Sequence, residues 1–202
     1  MIAEIGNTRI RLRFSFAATV TLMLYFCDEN VVLTTLFASL FHEAGHIFFL
    51  RLFGEAPADI ELSAFGISIT RPSHSRLSYK KEATVAMGGI IFNLIAACIC
   101  AAVYAVCKLR PVYLAVPVNI IVAAVNSLPN RYLDAGRALY YLLLGRSSHC
   151  AAEKIIDTVS YVFAVLLLAF WLFFSIFVRV NISLGAVTLY LVLITFKGKV
   201  GK

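Results

Sequence analysis

From Ala83 to Cys107 the chain runs without one charged side chain. The hydrocarbon core of a bilayer takes about 20 apolar residues in a single helix, so this segment is long enough to span one. Composition extends the point to the whole chain. Hydrophobic residues make up 61% of the 202 and charged residues 14%, against about 45–50% and about 25% in soluble domains. A soluble protein could not cover its surface with so few polar groups. A disordered chain, a collagen and a disulfide-stapled secreted domain are excluded on the same grounds. The expected fold is an all-α polytopic membrane protein, a single domain over 1–202 with about six transmembrane helices.

The apolar segments are 14–27, 31–53, 83–107, 112–144 with a break near 129–133, 158–178 and 182–196. The first is short and follows Arg9, Arg11 and Arg13, as a signal peptide would. Tyr25-Phe26-Cys27-Asp28-Glu29 offers no small-residue cleavage site after it, so it is taken as a span. With both termini in the cytoplasm, the outer loops hold only Lys108, Arg110 and Arg179. The other fifteen of the 18 Lys and Arg fall inside or near the inner face, as the positive-inside rule requires. The net charge of +7 is thereby assigned to membrane flanks, and nucleic acid is not an expected partner. The five cysteines form no C-x-x-C pair and are expected as buried, reduced thiols. Between Gly54 and Lys81, two alternating stretches, 59–63 and 67–70, flank Phe65-Gly66. That pattern predicts a small membrane-associated β-hairpin, with an ordinary cytoplasmic loop as the alternative.

The second span carries His42-Glu43-Ala44-Gly45-His46. Residues four apart share one face of a helix, so both imidazoles can reach one zinc ion while Glu43 takes a proton from the attacking water. The pattern alone is a modest signal. Its place inside the apolar stretch 33–50 strengthens it, because ionisable groups at that depth are costly and mark function. The bland alternative is a polar helix–helix contact or part of a proton path. Zinc needs a third protein ligand and an open position. Asp134 is the candidate, just after Asn126-Ser127-Leu128-Pro129-Asn130, where Pro129 interrupts the fourth span. Asp134 can also be read as a helix N-cap. His74 and His149 lie in polar surroundings and read as solvated.

His42-Glu43-x-x-His46, with the distant Asn126-x-x-Pro129-x-x-x-x-Asp134-x-Gly136, resembles the two signatures of the site-2 protease family of intramembrane zinc metalloproteases. Gly88-Gly89-x-x-x-Asn93 is similar to a third stretch of that family, with Gly89 where proline is common. Ala135 stands where the family usually has glycine. The chain looks closest to the compact subgroup typified by the sporulation protease that processes a sigma-factor precursor. The resemblance implies one Zn2+ per chain held by His42, His46 and Asp134, with Glu43 as general base. It implies that Asn126 contacts substrate backbone or the oxyanion; an interhelical hydrogen bond is the other reading of that residue. Asn93 reads as structural, since Asn joins membrane helices. Implied partners are a membrane-protein substrate, the lipid bilayer and a regulatory membrane partner, in a bacterial cell membrane.

Three competing readings stay open. Glu153 and Asp157 have the Glu-x-x-x-Asp spacing of a different metalloprotease clan. Intramembrane His, Glu and Asp also serve transporters. An inactive protease-like scaffold is the third, although all proposed ligands and the base are present.

Overall fold

The computed structural model describes residues 2–5, 8–57, 59–63, 66–70, 77–177 and 182–200. The chain forms two compact units, Met1–Val125 and Asn126–Lys202.

The first unit opens with strands β1 (Ile2–Ile5) and β2 (Thr8–Leu12), then helices α1 (Phe14–Phe26) and α2 (Glu29–Leu52). Strands β3 (Asp59–Ser63) and β4 (Gly66–Thr70) follow, then α3 (Tyr79–Cys107) and α4 (Arg110–Asn126). The expected hairpin is present: β3 and β4 pair antiparallel, from Asp59 opposite Thr70 to Ser63 opposite Gly66. Gly66 at φ +117° supplies the turn conformation that residues with a Cβ avoid. Phe65, the other expected turn residue, lies outside the described residues, as does His74.

The hairpin is half of a larger sheet. Four strands stand in the order β1-β2-β3-β4, with β2 and β3 parallel. Parallel neighbours need a long crossover, and α1 and α2 provide it. Ion pairs accompany the pairing of β2 with its neighbours. Arg11 pairs with Asp59 and Arg13 with Glu61 at 2.6 Å, while Arg9 pairs with Glu4 at 3.0 Å. The three arginines that resemble the flank of a membrane span thus face acids on neighbouring strands.

Among the described residues, three helices are long and apolar enough to cross a membrane: Glu29–Leu52, Tyr79–Cys107 and His149–Ile176. Three more apolar helices are shorter, Phe14–Phe26, Arg110–Asn126 and Gly185–Thr195. At about 1.5 Å per residue, the thirteen residues of α1 reach only about 20 Å.

Helix α2 begins where the Asp28 carboxylate accepts from Asn30 N at 2.9 Å, and Glu29 complements the dipole in the first turn. It ends at Gly54, whose φ of +82° suits the residue after a helix. Helices α2 and α3 meet backbone to backbone through Gly45 and Gly88. A Cβ on either would collide with the other's carbonyl, the small-residue contact by which membrane helices approach closely. The rings of Phe41, Phe48 and Phe49 then close around Phe92.

The second unit begins with Asn126, the last residue of α4, and holds the segment 127–133, then α5 (Asp134–Leu144), α6 (His149–Phe177) and α7 (Ile182–Val200). The break after Asn126 falls where Pro129 was expected to interrupt the span. Helix α6 starts at His149, nine residues earlier than hydropathy suggests. Its first turns carry Glu153, Lys154 and Asp157, so the apolar pattern begins later than the helix does. Cys27, Cys98, Cys107 and Cys150 are exposed and Cys100 is half-buried, contrary to the expectation of buried thiols. On a membrane helix the outward face is itself apolar, so cysteine needs no protein interior there.

Candidate metal centre

His42 and His46 lie one turn apart on α2, their ring centroids 4.9 Å apart and nearly perpendicular. A ligating nitrogen of one lies within 4.8 Å of one on the other. His42 is buried. Its Nδ1 meets Asn93 Oδ1 at 2.5 Å, and the amide orientation of Asn93 is set by two further bonds. Asn93 Nδ2 donates to Ala38 O at 3.1 Å and to Asn119 Oδ1 at 2.7 Å. With the amide nitrogen so engaged, the oxygen faces His42, and Nδ1 carries the proton and donates.

His46 is held in the same way. Its Nδ1 donates to the carbonyl of Val85 at 2.8 Å. A carbonyl can only accept, so this ring too has its proton on Nδ1. A neutral ring in either place therefore carries its lone pair on Nε2. Metal-binding histidines are typically oriented like this, with the other ring nitrogen donating to an oxygen acceptor. The residues of α2 and α3 thus fit a zinc ion in donor type, tautomer and helical spacing. Glu43 follows His42 on α2 and is half-buried.

Asp134 belongs to the second unit and is 7% exposed. It is the first residue of α5; the N-cap is Leu133, with extended backbone and no side-chain cap bond. The N-cap reading of Asp134 is therefore displaced by one residue. The segment before it is strongly tied down. Fully buried Asn130 donates from Nδ2 to Thr195 Oγ1 at 2.8 Å and accepts from Tyr132 N at 3.1 Å. Arg131 N donates to Ser160 Oγ at 2.8 Å. The Arg131 guanidinium reaches Glu153 at 2.8 Å and Asp157 at 2.7 Å. Gly136 lies so close to the Asn130 carbonyl that a Cβ there would collide with it, which accounts for the glycine of the second motif. Asn126 is the last residue of α4 and half-buried.

The ion pairs bear on the alternative ligand pair. Glu153 and Asp157 lie on helix α6, and both are engaged by Arg131. They form a clasp holding the segment before Asp134, a role that the Glu-x-x-x-Asp spacing does not reveal. His149 is exposed, with Tyr140 Oη 3.0 Å from its Nε2 and Glu153 3.8 Å from its Nδ1.

The fold is similar to that of a solved structure, the "Site-2 Protease from Methanocaldococcus jannaschii", with a TM-score of 0.72. The two chains are 17% identical over 98% of this chain and 94% of the other. No protein-family model and no curated protein matches. The class defined by these features is a helical membrane protein with a site-2 protease fold.

Proposed function

We propose that the chain is an intramembrane zinc metalloprotease, hydrolysing a peptide bond in or near a membrane segment of a protein substrate. The observation that carries this reading is the pair of imidazoles on α2, each fixed through Nδ1 so that Nε2 offers its lone pair. The solved fold relative, itself described as a protease, supports it, as does the order of the two sequence motifs.

In this reading His42, His46 and Asp134 hold one zinc per chain, and 1–202 acts as one catalytic unit. Bound zinc supplies Lewis acidity, lowering the pKa of water and polarising the scissile carbonyl. Glu43 takes the proton of the attacking water and returns it to the leaving amine. Asn126 donates a hydrogen bond to the oxyanion as it develops. The Arg131 clasp holds the start of α5, so that Asp134 keeps its rotamer. A membrane helix must unwind before its peptide bonds are reachable. Strand β4 is an edge of the sheet and packs beside α2, so an unwound peptide can add to it as a further strand. The substrate is a membrane or membrane-associated protein, and a membrane partner regulates access to the site. The chain crosses a cell membrane of bacterial type about six times with both termini cytoplasmic. Its affinity with the compact, sporulation-type subgroup rests on the sequence resemblance.

The test is proteolysis by the full chain reconstituted in lipid vesicles with a panel of single-span membrane peptides. The parent should cleave, and Glu43→Gln should lose about 10²–10⁴-fold in rate while still retaining zinc. Equal cleavage by parent and Glu43→Gln would overturn the reading.

A further inference from the structure

Two asparagines are buried at the contact of three apolar helices: Asn93 of α3 is fully buried and Asn119 of α4 is 4% exposed. Amides in such surroundings are costly unless each polar atom is matched. Here they form a chain with one direction. His42 Nδ1 donates to Asn93 Oδ1. Asn93 Nδ2 donates to Asn119 Oδ1 and to Ala38 O. Asn119 Nδ2 donates to Ala115 O at 2.8 Å. The chain ends on a backbone carbonyl, which can only accept, and so no amide along it can reverse without facing donor to donor and acceptor to acceptor.

We infer that Asn93 and Asn119 together are positioning residues that lock His42 in its Nδ1–H tautomer, with Asn119 acting two bonds away from the ring by adding to the hold of the Ala38 carbonyl on the Asn93 amide, so that it does not turn over. Were Asn93 to turn, its Nδ2 would face His42 Nδ1, and the ring would take the proton on Nε2 and cease to be a ligand. Asn119 thus guards the tautomer without touching the histidine. The inference rests on the metalloprotease reading for its purpose, but its physical content is a property of the metal-free protein.

The test uses the full chain labelled with ¹⁵N-histidine in detergent, metal-free, alongside zinc affinity measured by chelator competition. The parent should show His42 with its proton on Nδ1. Asn93→Leu, similar in size but without an acceptor, should show mixed tautomers and bind zinc about 10–100-fold more weakly. Asn119→Ala should populate the Nε2–H tautomer and weaken zinc binding by less than Asn93→Leu does. Should Asn93→Leu fail to fold, Asn119→Ala carries the test, since it leaves the direct partner of His42 intact. Parent-like tautomer in Asn119→Ala, or in folded Asn93→Leu, would overturn the inference. A parent that takes no zinc yet shows the Nδ1–H tautomer contradicts the metalloprotease reading and leaves the tautomer of the variants to decide this one.

Discussion

Gly89 of α3 stands directly against the imidazole of His42: a Cβ at Gly89 would come within 2.5 Å of both Cε1 and Nε2. The glycine is therefore what lets the ring occupy the space between α2 and α3, with Nδ1 on Asn93 and Nε2 beside Gly89. Gly89→Ala should raise the intrinsic helix propensity of α3 by up to about 1 kcal/mol while pushing the ring off its position. The expected outcome is zinc affinity at least about tenfold weaker in a protein that is still folded, read by chelator competition beside a thermal melt. Unchanged affinity would mean that the ring has room to yield.

In the second unit, Gly136 plays a comparable part toward the backbone. A Cβ there meets the Asn130 carbonyl, and no side-chain rotation relieves a clash with main chain. Gly136→Ala should destabilise the protein by about 1–3 kcal/mol, the usual cost of overpacking. Ala135→Gly at the neighbouring, half-buried position removes only a methyl group from a helix and should cost at most about 1 kcal/mol. Parallel thermal or denaturant unfolding of the two variants checks the ranking, and a milder effect for Gly136→Ala would contradict it.

The sheet changes how strand addition should be tested. Proline at Leu62 would strike β3, a central strand whose Leu62 carbonyl accepts from Arg13 N at 2.9 Å, and would disturb its pairing with β2 rather than the outer edge. The informative positions are on the edge strand β4. Of Ser68 and Ile69, which are consecutive, one N–H points to β3 and the other outward. Proline at the outward one should leave zinc bound and lower cleavage of a membrane peptide at least about tenfold. Full cleavage by both zinc-bound variants would remove the edge from the mechanism.

How much of this was visible in the sequence depends on the range of each interaction. His42 and His46 are legible because a helix places residues four apart on one face, and the hairpin is legible because its two strands alternate within a dozen residues. Strands β1 and β2 are not. Arg9, Arg11 and Arg13 sit just before an apolar run, as membrane-flanking cations do, and Asp59 and Glu61, which two of them pair with, lie some fifty residues onward. The start of α6 is obscured by polar residues whose purpose is the clasp on Arg131. Asn93 carries a family-like spacing and reads as structural because Asn joins membrane helices, and the bond to His42 adds a role that no spacing encodes. Asn119 has no signal at all: one amide in an apolar helix acquires its meaning only from the neighbour it meets.

The most direct measurement is the zinc content of detergent-purified protein made without a histidine tag, beside Asp134→Ala and Glu153→Ala. About one zinc per chain is expected in the parent and in Glu153→Ala, with most of it lost in Asp134→Ala. A parent that holds no zinc even when supplied with it, or an Asp134→Ala variant that binds as tightly as the parent, would contradict a metal centre built on His42, His46 and Asp134.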